Sequence, residues 1–172
     1  MKILLSISII CGLALIAFIL FGISLDENVV VEESIVVDAP SAVVWTALTS
    51  FDQHHKWQKS IEVLYNYNNS ARQVRYNFGD RTLLVNQQVR IRESALSIDF
   101  IQIGKEEYTT LQKFGGQIVL NPLSDGNTEI KWSITYTTPS ISEKVINRYK
   151  NEKLFRALLK TNLESFKNFI ES

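Results

Sequence analysis

Cysteine is nearly missing from this chain of 172 residues: Cys11 is the only one. A lone thiol closes no intramolecular disulfide and builds no thiolate metal cluster. Histidine is scarce too, and the two present, His54 and His55, are adjacent. Neighbouring side chains on a helix point about 100° apart, so the pair does not converge on one metal. No metal site and no cofactor are expected. Asp52 is near enough in sequence to tune an imidazole as a base. The simpler expectation for both rings is a place at the surface or at a cavity rim.

Charge of one sign is also lacking. Lysine and arginine number 18, aspartate and glutamate number 18, and no basic block stands out. Strong non-specific binding to nucleic acid needs a basic patch, so nucleic acid is not an expected partner. The chain has no Gly-rich phosphate loop, no Gly-x-Ser-x-Gly elbow and no His-Glu-x-x-His, which removes the chemistries those motifs carry.

What the chain does have is a long apolar start. Ile3 to Leu25 is interrupted only by Ser6, Ser8, Cys11, Gly12, Gly22 and Ser24, and Lys2 is the one charge before Asp26. At roughly 1.5 Å per residue this run spans roughly 34 Å as a helix, enough to cross a hydrocarbon core of ~30 Å. Cleavable signals have a shorter apolar region of ~7–15 residues, so residues 1–25 read as a signal-anchor helix. Gly22-Ile23-Ser24 loosely fits a small-x-small cleavage site, which keeps open the alternative of a cleaved signal and an exported soluble domain. With Lys2 before the helix and Asp26 and Glu27 after it, the positive-inside tendency places the N-terminus in the cytoplasm. Residues 26–172 then form a domain on the extracytoplasmic side of a single-pass protein. Cys11, mid-run behind bulky Ile10, reads as a small apolar residue facing lipid.

Beyond the anchor, Asn28 to Val37 is rich in Val and Ile and predicts a strand. Asp38-Ala39-Pro40-Ser41 ends it and starts a helix, where a proline is tolerated because a first-turn N–H would lack a partner anyway. Val43, Val44, Ala47 and Leu48 form a short apolar face beside Trp45, and Phe51 to Trp57 predicts a second short helix. From Ser60 the apolar period becomes two. Ile61, Val63, Tyr65 and Tyr67 share one phase, as do Val74, Tyr76 and Phe78, then Val85, Gln87, Val89 and Ile91, then Leu96, Ile98 and Phe100. Tyr108 to Leu120 is long, with Thr110, Gln112, Phe114, Ile118 and Leu120 in phase. Ile130, Trp132, Ile134 and Tyr136 finish the series. Asn68-Asn69-Ser70, Gly79-Asp80, Glu93-Ser94 and Pro122 to Asn127 mark turns, so an antiparallel meander with one buried face is expected. Gly115-Gly116 inside a strand signals a bend or a close approach.

The chain ends in an amphipathic helix between Ser140 and Glu171. Phe155, Leu158, Leu159, Leu163, Phe166, Phe169 and Ile170 fall on one face, with Asn162 as a polar member of that stripe. Ser140 and Glu143 have capping-box spacing, and a break near Asn151 is expected. Such a helix needs a sheet to lie against.

The order strand, two short helices, six antiparallel strands and long helix resembles the START-like or SRPBCC superfamily. Its details look most like the polyketide cyclase/dehydrase-type branch, which shows an Ala-Pro helix start followed by Val-Trp and a second Trp. Here these are Ala39-Pro40, Val44-Trp45 and Trp57, and Leu163 to Glu171 resembles the terminal helix. The resemblance covers roughly Asn28 to Ser172. It implies an α+β helix-grip fold: a bent antiparallel sheet of about seven strands wrapped round the C-terminal helix, with a cavity between them. Members of the superfamily carry lipids, sterols, hormones or other apolar compounds, some cyclise or dehydrate polyketides, and a few bind partner proteins.

Candidate ligand contacts come from the inward phase: Tyr65, Tyr76, Phe78, Phe100, Phe114, Trp132 and Tyr136 from the strands, Phe155 and Leu159 from the helix. Gln87, Gln112 and Asn162 add uncharged polar groups, an apolar lining with few hydrogen-bonding points. No catalytic residue is assigned. Glu62, Asp99 and Glu129 alternate outward, and no inward carboxylate pair or other inward ionisable group is expected. The expected function is a membrane-anchored START-like domain that binds a small hydrophobic molecule or lipid without chemistry. A cyclase/dehydrase-type enzyme using Tyr65 or Tyr76 with Gln87, and an interaction protein with a filled core, are the alternatives.

Overall fold

The computed structural model describes residues 2–68, 70–78, 82–104 and 111–172, with the side chains of residues 2–6 and 68 left aside. The turn positions Asn69 and Gly79-Asp80, and the predicted strand residues from Tyr108 to Thr110, lie outside the described residues.

Helix α1 (Lys2–Ser24) is 23 residues long. It is long and apolar enough to cross a membrane or to act as a signal. Next come β1 (Asn28–Val37), α2 (Ser41–Thr49), a 3-10 turn (Phe51–Gln53) and α3 (His54–Trp57). Pro40 sits just ahead of α2 with φ −61° and ψ 146°, an extended residue that hands over to the helix. Val44 and Leu48 turn inward from α2, whereas Val43 stays exposed.

Six strands follow: β2 (Ile61–Asn68), β3 (Ala71–Asn77), β4 (Thr82–Arg92), β5 (Ser97–Gln102), β6 (Gln112–Pro122) and β7 (Thr128–Thr137). They form one seven-stranded antiparallel sheet in the order β1-β7-β6-β5-β4-β3-β2. Sequential strands neighbour one another, and β1 reaches the far side of β7 because α2 and α3 carry the chain across the sheet. A Cβ on Gly115 would stand 2.9 Å from the Phe100 carbonyl oxygen, and one on Gly116 would collide with the Ser133 carbonyl oxygen. Glycine here permits the close approach of β5 and β7 on either side of β6.

The C-terminal helical region has three parts: α4 (Ile141–Ile146), a π turn (Asn147–Asn151) and α5 (Glu152–Ile170). The capping box is formed: the Glu143 N–H donates to Ser140 Oγ and the Ser140 N–H to the Glu143 carboxylate. The break expected near Asn151 is the π turn, a five-residue widening of the helix. Helix α5 buries Phe155, Leu158, Leu159, Asn162, Leu163 and Phe166 against the sheet.

Its polar face does a second job. Strand β1 pairs with β7 on one side only, which leaves backbone groups unpaired on its outer edge. Arg156 donates to the Glu32 carbonyl, Lys167 donates to the Val36 carbonyl, and the Asp38 N–H donates to Glu171. Arg156 also pairs with Glu33 at 2.6 Å. The helix thus covers the edge strand with its charged side chains while its apolar stripe fills the core.

Candidate functional site

The inner face of the sheet carries an aromatic cluster that meets α5. Phe155 contacts the rings of Phe78, Phe114 and Tyr136 at centroid distances of 5.1, 5.6 and 5.1 Å. Tyr76 meets Phe114 edge-on at 5.3 Å. Alternation on β3, β6 and β7 puts these rings on one side of the sheet, and the i, i+3, i+4 spacing of α5 supplies Phe155 and fully buried Leu159. At the edge of the cluster Tyr136 donates its hydroxyl to Asn147 Oδ1, the first residue of the π turn. Burial, then the nearby Glu152 carboxylate, pushes the Tyr136 phenol up, so it stays a donor.

Beside these rings lies a buried polar group. Gln87 is fully buried, donates to the Tyr76 hydroxyl at 2.6 Å and accepts from Arg72 Nε at 3.4 Å. Arg72 is only 4 % exposed, and its guanidinium lies over the Phe100 ring at 4.6 Å and the Phe51 ring at 5.7 Å. Burial lowers the guanidinium to about 10, which still leaves it charged at neutral pH. Burial likewise raises the Tyr76 phenol, partly offset by Arg72 and the Gln87 hydrogen bond. Tyr76 is therefore a neutral hydrogen-bonding group, poorly matched to the work of a base.

A third cluster closes the fold around Trp57, which packs on Phe166 at 4.8 Å, His54 at 4.8 Å and Trp132 at 6.2 Å. His54 Nε2 donates to the Leu48 carbonyl at 2.8 Å, while Nδ1 has no partner among the described residues. Burial is the main reason its pKa falls to about 4; the Leu48 bond opposes the fall, Arg72 adds to it and Asp52 opposes it. Asn162, also fully buried, accepts from the backbone N–H groups of Lys59 and Ser60 at 2.9 and 3.4 Å and donates to the Leu158 carbonyl at 2.8 Å. Its amide ties α5 to the segment that follows α3.

Ten of the twelve candidate contacts thus lie buried or half-buried on the inner side: Tyr76, Phe78, Gln87, Phe100, Phe114, Trp132, Tyr136, Phe155, Leu159 and Asn162. Two do not. Tyr65 is 62 % exposed, because β2 shifts register between Val63 and Tyr65 and the slip moves the tyrosines to the outer side. Gln112 is exposed while Leu111 is buried, because Lys113 adopts a positive φ of 52° and β6 shifts register between Gln112 and Gly115.

Two expectations about charge also change, and the outward place of Asp99 does not. His54 is in the core and not at a surface or rim, while neighbouring His55 is exposed. An inward ionisable group does exist: Arg72 shares the buried parity of Val74 and Tyr76, two and four positions on, and that alternation was the signal for it. Asp99 is buried, held on the outer face by Arg92 at 2.6 Å and by Gln117 at 2.8 Å.

The sequence model of the family described as polyketide cyclase / dehydrase and lipid transport matches residues 28–171. The chain belongs to this family. No curated protein sequence matches it. Among solved structures it is similar to the Zhui aromatase/cyclase from Streptomyces sp. R1128, with a TM-score of 0.67 and 14% identity over 84% of this chain and 94% of that one. A START superfamily protein from Mycobacterium smegmatis gives 0.61 and 14% over 83% and 97%. The ginseng major latex-like protein 151 from Panax ginseng gives 0.65 and 10% over 84% and 98%. At these identities the likeness is one of fold.

Proposed function

We propose that residues 1–25 anchor the protein in a membrane as a single-pass helix and that residues 26–172 bind a small hydrophobic molecule or lipid between the sheet and α5. The observation that carries this reading is the inner face itself: aromatic rings from three strands and α5 surround a buried polar group, a lining with the composition of a ligand site. The family's description includes lipid transport, which supports the same class of ligand. The contact between anchor and fold adds to it. Gly22 of α1 faces Ile141 so closely that a Cβ would fit only if the Ile141 side chain shifted, and Phe21 meets Tyr149 at 6.3 Å. The start of the C-terminal helical region, including the Asn147 that bonds Tyr136, therefore sits where α1 leaves the bilayer. In this reading the N-terminus is cytoplasmic and the ligand-binding domain is extracytoplasmic.

The test uses the three native tryptophans, none of which lies in α1. The full chain is reconstituted in nanodiscs whose acyl chains carry bromine, and its fluorescence is compared with the same chain in unbrominated lipid. Quenching that shrinks in Trp132→Phe supports a lipid on the inner face. Undiminished fluorescence contradicts it.

A further inference from the structure

Among the described residues Arg72 presents a charge without a counter-charge. It is 4 % exposed, and among those residues its Nη1 has no hydrogen-bond partner and no carboxylate pairs with it. What holds it is weaker: one amide oxygen at 3.4 Å and the faces of Phe100 and Phe51. A buried cation is costly unless it is paired and hydrogen-bonded, because low-polarity surroundings replace none of its hydration. Aspartates and glutamates are plentiful elsewhere, and Arg75, the next outward-facing arginine on β3, pairs with Glu62 at 2.8 Å. The inner face withholds that partner from Arg72.

Phe51 borders both Arg72 and a pocket that Arg72 itself does not line. The residue is half-buried, belongs to the short 3-10 turn between α2 and α3, and touches Arg72 with its ring. It also lines, with His54, a partly open pocket of about 620 Å³. Cation–π contacts to phenylalanine are weaker than a charge-assisted hydrogen bond to an anionic oxygen, so an incoming carboxylate can take the place of that ring at the guanidinium.

We infer that the ligand carries a carboxylate and that Arg72, backed by Gln87, is the residue that receives it, with the apolar remainder of the molecule against the aromatic cluster. This rests on the ligand-binding reading above and narrows it to amphipathic acids. No bond is made or broken; the interaction is a salt bridge with hydrogen bonds from the guanidinium.

The test compares two photoreactive probes of equal length, a diazirine fatty acid and the corresponding fatty alcohol, offered to the full chain in phosphatidylcholine nanodiscs. Cross-links are mapped by mass spectrometry, so labelling of α1 by probe dissolved in the bilayer is separated from labelling of the inner face. The expected result is about tenfold or greater preference for the acid on β3, β4 and β5, the worth of a hydrogen bond to a charged group. Arg72→Met should equalise the probes and Arg72→Lys should retain part of the preference. The acid–alcohol comparison on the native chain decides the matter even if Arg72→Met fails to fold. Equal labelling of the inner face by both probes overturns the role of Arg72 and leaves ligand binding standing. Absence of inner-face labelling by either overturns ligand binding itself.

Discussion

His54 and Asn162 show how burial changes the meaning of a polar side chain. His54 is held neutral in the core, with a pKa of about 4 against an ordinary 6.5. Below about pH 6.5 the unfolded chain takes up a proton that the folded chain refuses, so the His54 contribution to stability falls as pH drops towards 4 and levels off beneath it. The full difference is about 3 kcal/mol. Urea unfolding of the native chain and of His54→Gln across that range should show this extra loss in the native chain alone. Equal pH dependence in the two would remove the assignment. Asn162 spends its amide on backbone groups of two segments, so Asn162→Leu should cost about 1–2 kcal/mol by stripping the Lys59 and Ser60 N–H groups of their acceptor. A thermal melt checks it. Asn162 stood out in the sequence as a polar residue on an apolar stripe, which is correct; its Lys59 and Ser60 partners, 103 and 102 positions away, could not be read from the stripe.

Among the elements, the strands and helices were legible because each has a simple period. The sheet's alternation, the Ser140–Glu143 cap, the interruption near Asn151 and the glycine pair in β6 are all local patterns. What alternation alone could not give is where it slips. The register shift in β2 turns Tyr65 out, and the positive φ at Lys113 turns Gln112 out and Leu111 in. The β2 slip has no glycine or proline beside it, the residues that ordinarily announce one, whereas the β6 slip ends at Gly115, which signals a distortion without saying which neighbours turn out. The glycine pair carries its own prediction. A methyl on Gly116 meets the backbone of Ser133 and Ile134, which cannot rotate away as a side chain would. Gly116→Ala should destabilise the fold by at least ~1–3 kcal/mol, the usual cost of overpacking, whereas Gly126→Ala, in open space on the β6–β7 turn at a φ of 88°, should cost no more than the strain of that backbone. Denaturant midpoints of the two variants separate the explanations.

For the whole molecule, the order of elements pointed to the family before any contact was known, and the site remained coarser because its decisive residue is identified by burial and not by type. Arg72 looks in the sequence like any of the chain's basic residues; only the packed sheet shows that it is enclosed and, among the described residues, without a carboxylate partner. Topology is open to a clean experiment because Cys11, the only native thiol, lies within α1. In a Ser172→Cys full chain, a membrane-impermeant maleimide applied to intact cells should label the C-terminus. Labelling only after permeabilisation would reverse the orientation proposed above.

The central claim is that a ligand occupies the space between the sheet and α5. Native mass spectrometry of the full chain, released from micelles under collisional activation strong enough to strip lipid from the exposed α1, tests it most directly. The account predicts a species heavier than the polypeptide by one bound amphipathic acid, retained after the annular lipid is gone. A polypeptide of bare mass only, both as purified and after incubation with long-chain fatty acids, would contradict it.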